Sequence, residues 1–167
     1  MDMKRLQDKL IGTGLLLGID IGSTTAKIIL LEDGKTLFSC YERHLSLVRR
    51  KTLELVERAA PLIGERPVRI AISGSAGLGV ARSAEIPFVQ EVFATGEAVR
   101  CLEDGVDAVV ELGGEDAKVI FFGNSLDERM NGSCAGGTGA FIDQMATLLD
   151  VTTEQLDELS LRYERLY

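Results

Sequence analysis

The chain has 167 residues, of which 46% are hydrophobic and 26% are charged, so it falls among globular proteins and outside the disordered and fibrous classes. Its formal net charge of −8 argues against nucleic-acid binding, because that function needs a basic surface to displace counterions. No segment reaches the roughly 18 consecutive apolar residues that a membrane-spanning helix needs. The three cysteines are widely spaced and odd in number, a poor disulfide framework, so we expect a cytoplasmic protein.

Three consecutive strands are predicted near the start of the chain, after a short polar extension. They are rich in β-branched and apolar side chains and occupy residues 15–20, 24–31 and 36–44. Asp33 and Gly34 both tolerate positive φ, so they predict a tight hairpin turn between the second and third strands. The chain therefore opens with a strand meander and not with a strand–helix–strand unit.

The sequence pattern changes to helical spacing after residue 46. Four apolar residues predict the face of a helix that ends at Gly64, and these are Leu53, Val56, Ala60 and Ile63. Further elements are a strand at 68–73, a loop at 74–79, a helix at 89–102, strands at 108–112 and 118–122, and a helix at 138–149. The last of these helices has an apolar face made of Phe141, Ile142, Met145, Leu148 and Leu149. Thr152 and Gln155 match a capping box that would begin a final helix.

Composition changes near residue 100, which predicts two lobes. Residues 1–100 hold 14 basic and 12 acidic side chains, whereas residues 101–167 hold 4 basic and 14 acidic ones. Seven of the 18 glycines lie between Gly113 and Gly139. We therefore expect an N-terminal extension at 1–14, a first lobe at 15–102 and the start of a second lobe at 103–167.

The turn between the first two strands has the composition of a phosphate site. A tight turn at Gly22 points several N–H groups into one concavity. The same segment adds hydroxyls and a positive charge, from Ser23, Thr24, Thr25 and Lys27. Asp20 can hold a hydrated Mg²⁺, because magnesium prefers few protein oxygens together with waters and phosphates. The alternative is an ordinary hairpin with an acid at its buried edge. The segment does not contain the Walker motif of other phosphate-binding loops.

A second segment repeats this plan with an acid, a glycine turn and a strand that carries a lysine. It runs from Glu111 through Gly113 and Gly114 to Lys118. The acids Glu111, Glu115 and Asp116 would repel one another around this turn unless a cation or hydrogen-bond donors lie nearby, and a magnesium nucleotide supplies the cation. A solvated acidic turn is the alternative. Two such hairpins facing one cleft favour a nucleotide site.

These two hairpins resemble the phosphate segments of the superfamily that joins sugar kinases, the heat-shock 70 chaperones and actin. A third segment, at residues 130–143, is more specific, because it contains Cys134 followed by Ala-Gly-Gly-Thr-Gly. This motif resembles that of the activators of 2-hydroxyacyl-CoA dehydratases and the related ATPase subunits of benzoyl-CoA reductases. The resemblance extends from about residue 15 to the end of the chain.

The resemblance implies an α/β, ribonuclease H-like (actin-like ATPase) fold whose mixed sheet opens with three antiparallel strands. It implies a homodimer in which one 4Fe-4S cluster is shared between two protomers, with Cys134 as a ligand. ATP bound with Mg²⁺ would drive a conformational change that lets the cluster pass an electron to a dehydratase or reductase partner. The cluster would receive this electron from a donor such as ferredoxin or flavodoxin. Asp20 and Glu111 are the expected catalytic residues, and Asp20 would also hold Mg²⁺ through water. Cofactor contacts are expected from Gly22, Ser23, Thr24, Thr25, Ala26, Lys27, Gly113, Gly114, Glu115, Asp116, Gly136 and Gly137.

The sequence departs from the family pattern at three places. Glu111 stands where the family usually has Asp. Its side chain is longer by one methylene group, which would shift the position of the metal by that length. Residues 94–96 replace a more polar stretch that is common in family members after the position of Glu91. The family's second cluster cysteine lies beyond the last predicted helix, so we expect this chain to be the front part of an activator. Alone it should bind nucleotide weakly and be inactive.

Several other residues have unremarkable interpretations. His44 lies among basic residues, which predicts a solvated helix start. Glu91 and Glu97 are expected on the surface, although both could face the cleft. Cys40 on a strand and Cys101 in a helix are expected to be structural.

Two other function classes remain open from the residues. One is a small-molecule kinase of the same superfamily, in which Asp20 or Glu111 helps the acceptor hydroxyl, and that class leaves Cys134 unexplained. The other is a nucleotide-dependent interaction module without a redox role.

Overall fold

The computed structural model describes residues 14–123, 125–131 and 138–165. A four-stranded sheet forms the first lobe, and its strands are β1 (Leu15–Ile21), β2 (Thr25–Glu32), β3 (Lys35–Arg43) and β4 (Val68–Ser73). The spatial order is β3-β2-β1-β4, with β1 antiparallel to β2 and parallel to β4. A single parallel bridge between Ile72 and Phe88 extends the sheet beyond β4. The expected meander of three strands is therefore present.

The turn between β2 and β3 forms as its composition predicts. Asp33 and Gly34 have φ values of 47° and 77°, the left-handed region that a two-residue hairpin turn requires. This turn places β3 at the edge of the sheet, where it pairs with β2 from Arg43 to Lys35.

The hydrophobic core lies between one face of this sheet and the helix α1 (Val48–Ile63). Alternate residues of β1 point into it, since Leu15, Leu17, Ile19 and Ile21 are each 4% exposed or less. Burying these apolar side chains supplies the main driving force for folding of this lobe.

The buried face of α1 agrees only in part with the predicted one, since Val56 and Ile63 pack against the core as expected. Thr52, Leu55 and Ala59 are the buried residues, whereas Leu53 is 59% exposed. The small side chains of Thr52 and Ala59 let the helix approach the sheet, and the Thr52 hydroxyl is satisfied because it donates to the Val48 carbonyl at 2.9 Å. Hydrophobic spacing alone does not identify Thr52 and Ala59 as buried, because one is polar and both are small.

Two further helices follow β4, and the first of them replaces part of a predicted loop. They are α2 (Gly77–Ala84) and α3 (Glu91–Leu102). Gly77 begins α2 against the sheet, where a Cβ would lie only 2.9 Å from Ile72 Cγ2. Close packing, and not an open loop, therefore accounts for the glycine at this position.

The described part of the second lobe is a three-stranded antiparallel sheet followed by two helices. Its elements are β5 (Ala108–Leu112), β6 (Ala117–Phe122), β7 (Leu126–Met130), α4 (Gly139–Leu148) and α5 (Thr153–Ser160). The order β5-β6-β7 repeats the opening meander of the first lobe. Strand β7 was not predicted, because its sequence Leu-Asp-Glu-Arg-Met lacks apolar alternation.

Both helices of the second lobe begin with a side-chain cap, and the cap at Thr152 is the predicted one. The Thr138 hydroxyl accepts from the Phe141 N–H, and both bonds of the Thr152–Gln155 capping box are present. The predicted apolar face of α4 is only partly covered by the described residues, because Phe141 is 41% exposed and Leu148 76%. None of the helices among the described residues has the length and apolar character needed to cross a membrane.

Gly74→Ala should lower the free energy of unfolding by about 2 kcal/mol or more. Gly74 has φ +91°, and a Cβ there would lie 2.3 Å from the Ile21 carbonyl oxygen. Gly79→Ala is the matched control, because no heavy atom lies within 4 Å of a Cβ at that helical position. Urea denaturation measures both variants, and equal stability would contradict the packing described at Gly74.

Candidate functional site

The first hairpin, residues 20–27, joins β1 to β2 with an acid opposite a lysine. Asp20 pairs with Lys27 across the strands. The Gly22 N–H donates to the Thr25 carbonyl at 2.9 Å and closes the turn. This arrangement places Ser23 and Thr24 at the tip.

The second hairpin, residues 111–118, has the same register. Glu111 pairs with Lys118, and the Gly113 N–H donates to the Asp116 carbonyl at 2.7 Å. Each hairpin thus has an acid, a glycine two residues later, and a lysine seven residues after the acid. The repeated plan in the sequence corresponds to repeated backbone geometry.

The two hairpins meet face to face at Thr24 and Gly114. A Cβ on Gly114 would lie 2.4 Å from Thr24 Oγ1, so any other residue there would force the Thr24 side chain to move. The cleft between them is lined by Gly22, Ser23, Thr24, Thr25, Lys27, Ser75, Glu91, Glu111, Gly113, Gly114, Glu115, Asp116 and Lys118. Asp20 lines the adjoining pocket with Glu111. Most of the residues selected from the sequence therefore lie around one cleft.

One selected residue lies away from this group, and three others fall outside the described residues. Ala26 is fully buried in the core on the opposite face of β2, so its side chain cannot contact a ligand in the cleft. The alternation of side chains along a strand is the reason, because Thr25 and Lys27 point the other way. Cys134, Gly136 and Gly137 lie outside the described residues.

Asp20 and Lys27 form an ion pair at the base of the first hairpin. Lys27 Nζ lies 2.7 Å from Asp20 Oδ2, and the Ser73 hydroxyl donates to Asp20 Oδ1 at 3.2 Å. Burial lowers the pKa of Lys27, but its hydrogen bond to Asp20 and the charge of that carboxylate outweigh burial and raise the pKa overall. Lys27 is therefore positively charged, and it neutralises the negative charge of the Asp20 carboxylate.

Lys118 is a buried cation between two carboxylates. Its Nζ lies 2.9 Å from Glu91 Oε2 and 3.8 Å from Glu111 Oε1. Burial lowers the pKa of Lys118, and the Glu91 hydrogen bond and the Glu111 charge raise it overall. The surface position expected for Glu91 is therefore wrong, whereas Glu97 pairs with Arg100 at the exposed surface as expected. In both hairpins a lysine follows the acid by seven residues, and this repeat was the sequence signal that could have identified Lys118 as a site residue.

Glu111 carries an unsatisfied oxygen in the cleft. Burial raises the pKa of its carboxyl, Lys118 opposes this rise and Glu91 adds to it. Among the described residues, no hydrogen-bond partner contacts the buried Glu111 Oε2. A buried carboxylate oxygen without a partner suits a cation or a bound water. The described residues contain no cluster of three metal-ligating side chains, so Mg²⁺ here would depend on waters and phosphates for most of its ligands.

Helix α4 is tied directly to the hairpins. The Gly139 N–H donates to the Gly113 carbonyl at 2.8 Å, and the Ala140 N–H donates to the Gly114 carbonyl at 3.0 Å. An ion pair between Arg43 and Asp143 links the same helix to the end of β3. Movement of the second hairpin would therefore be transmitted to the helix that follows residues 132–137.

His44 is buried beneath the first hairpin and is not solvated as predicted. It is 4% exposed, with Nε2 3.0 Å from the Gly22 carbonyl oxygen. The basic neighbours suggested a surface segment, but the connection from β3 to α1 folds this one side chain inward. Cys40 and Cys101 are both half-buried on regular elements.

Comparison with known proteins matches residues 17–164 to the BadF/BadG/BcrA/BcrD ATPase family. The chain is 30% identical over 152 residues to the (R)-2-hydroxyglutaryl-CoA dehydratase activating ATPase of Acidaminococcus fermentans, covering 87% of this chain and 58% of that protein. It is 26% identical over 151 residues to the activator of lactoyl-CoA dehydratase of Anaerotignum propionicum, covering 86% and 57%. The chain thus spans somewhat more than half the length of these relatives.

Solved structures agree with the fold. The (R)-2-hydroxyglutaryl-CoA dehydratase component A of Acidaminococcus fermentans has a TM-score of 0.75 at 27% identity, covering 92% of this chain and 61% of that one. The 2-hydroxyisocaproyl-CoA dehydratase activator of Clostridium difficile with bound ADPNP has a TM-score of 0.71 at 22% identity, covering 92% and 59%, a likeness of fold. The actin-like ATPase fold is confirmed. The chain belongs to the BadF/BadG/BcrA/BcrD ATPase family.

Proposed function

We propose that this chain is the nucleotide-binding front part of an ATP-hydrolysing iron–sulfur activator. The complete protein would deliver a low-potential electron to a 2-hydroxyacyl-CoA dehydratase or a benzoyl-CoA reductase-like partner. The observation that carries this proposal is the pair of bonds from Gly139 and Ala140 to the second hairpin. They join a phosphate-type turn to the helix that directly follows the Cys134 motif, so one element serves both nucleotide and cluster.

Nucleotide phosphates would lie between the two hairpins. Backbone N–H groups and the hydroxyls of Ser23, Thr24 and Thr25 would donate to phosphate oxygens. Phosphate charge would compete with Asp20 for Lys27, and this would free the Asp20 carboxylate to hold hydrated Mg²⁺. Lys118 would stay paired with Glu91 and Glu111 and keep the second hairpin electrically balanced.

Glu111 is suited to orient the water that attacks the terminal phosphate. Its Oε2 is buried and has no partner among the described residues. The raised pKa of its carboxyl makes this group a stronger base than an exposed glutamate. Asp20 and Glu111 would thus have separate roles, one at the metal and one at the water.

The proposed redox role rests on the sequence motif. Helix α4 begins at Gly139, and its positive N-terminal end lies close in sequence to Cys134, which favours the thiolate form that binds iron. A 4Fe-4S cluster, when bound, would supply one-electron transfer at low potential. In the complete protein we place it between two protomers, with an electron donor such as ferredoxin or flavodoxin. Relatives named as dehydratase activators support the choice of a dehydratase as the partner.

Asp20→Asn should lower ATP hydrolysis by the full-length protein by roughly 100-fold, because the amide keeps the volume and loses the charge that holds Mg²⁺. The fold should persist, with a melting temperature close to that of the wild type. Asp127→Asn makes the same chemical change at an exposed strand position and should leave turnover unchanged. Unchanged turnover in Asp20→Asn would contradict the metal assignment.

Cys134→Ser should abolish the bound iron and sulfide of the anaerobically purified full-length protein, because a serine hydroxyl does not ionise to replace a thiolate. Wild type should hold one cluster per dimer and lose its colour in air. Cys101→Ser, on helix α3, is the matched control and should retain the wild-type iron content. Equal iron in wild type and Cys134→Ser would remove Cys134 as a ligand and favour a small-molecule kinase.

A further inference from the structure

His44 is the single histidine of the chain and lies in the connection between β3 and α1. Its side chain is almost completely buried beneath the first hairpin. A buried polar ring needs partners for both nitrogens. The partners of this ring are both main-chain groups, which indicates that the ring fixes the position of the backbone at those two residues.

The contacts of the ring determine which nitrogen carries the proton. The Ser46 N–H donates to Nδ1 at 3.1 Å, so Nδ1 must be the unprotonated acceptor. The proton therefore sits on Nε2, which lies 3.0 Å from the Gly22 carbonyl oxygen and donates to it. Neutral His44 thus connects the start of α1 to the turn of the first hairpin.

The main chain of His44 makes a second contact with the same turn. Its backbone N–H donates to the Thr24 carbonyl at 3.1 Å. The chain contains no cis peptide among the described residues, so the C=O and the following N–H of each peptide point in opposite directions. Holding the carbonyls of Gly22 and Thr24 toward His44 therefore directs the N–H groups of Ser23 and Thr25 away from it.

We propose that His44 is a positioning residue that presents the Ser23 and Thr25 N–H groups to nucleotide phosphates. The proposal rests on the nucleotide function given above and adds a residue that the phosphate motif does not contain. Ser23 and Thr25 line the cleft, whereas His44 lies behind the turn and is not among the lining residues. Its effect on binding would be transmitted through the Gly22 carbonyl.

Two substitutions test the two hydrogen bonds of the His44 ring separately. His44→Gln places an amide nitrogen at the position of Nε2, so it can still donate to the Gly22 carbonyl. His44→Asn keeps an acceptor for the Ser46 N–H at the position of Nδ1, but its amide is too short to reach Gly22. Calorimetric titration of the full-length protein with magnesium ADP should show about tenfold weaker binding for His44→Asn and binding within about threefold of wild type for His44→Gln.

Melting temperatures of the two variants accompany the titrations, because a purely structural role would lower stability and affinity together. Equal affinity in the two variants would overturn the positioning role. If the wild type bound no magnesium ADP, the nucleotide function itself would fail, and the role of His44 with it.

A second measurement is independent of nucleotide affinity. The ¹⁵N resonances of the His44 ring are identified as the signals that are absent from the spectrum of His44→Gln. We expect a protonated Nε2 with a slowly exchanging hydrogen and an unprotonated Nδ1, and we expect both signals to shift when magnesium ADP binds. The opposite tautomer, or a rapidly exchanging ring hydrogen, would overturn the proposal.

Discussion

The close approach of Thr24 to Gly114 is the contact on which the site depends. The absence of a Cβ at Gly114 lets the two hairpins meet, and a methyl group there would collide with the Thr24 hydroxyl. This contact brings two separate sheets together at their turns. As a result, residues nearly 100 positions apart in the sequence line one cleft, although each hairpin is formed by local turn chemistry.

Each hairpin also carries its own charge compensation. An acid and a lysine face each other across the strands, and the pair in the second hairpin is joined by Glu91 from α3. A buried lysine such as Lys118 stays charged only because carboxylates lie beside it. Both lysines therefore keep their positive charge near the cleft, and we propose that phosphate groups compete with Asp20 for Lys27 while Lys118 stays paired. Because this positive charge is already in place, the side chains around the cleft would need to rearrange less when a nucleotide binds.

The sequence predicted the features that local chemistry determines. The turn at Asp33 and Gly34, the turns of the two glycine hairpins and the capping box at Thr152 all follow from residues a few positions apart. The features it missed depend on packing between distant elements. Thr52 and Ala59 are buried because a sheet lies over them, His44 is buried because the first hairpin covers it, and Glu91 faces the cleft because Lys118 lies opposite. Strand β7 pairs with β6 despite a polar sequence, so its neighbour and not its own pattern determines it.

The central claim is that both hairpins bind one magnesium nucleotide and are coupled to α4. Hydrogen exchange of the backbone amides, measured in the full-length protein with and without magnesium ADP, tests this directly. The account predicts slower exchange in residues 22–25, in residues 113–116 and at Gly139 and Ala140, while the amides of α5 exchange at the same rate in both states. Protection of a single hairpin, or no change at Gly139 and Ala140, would contradict it.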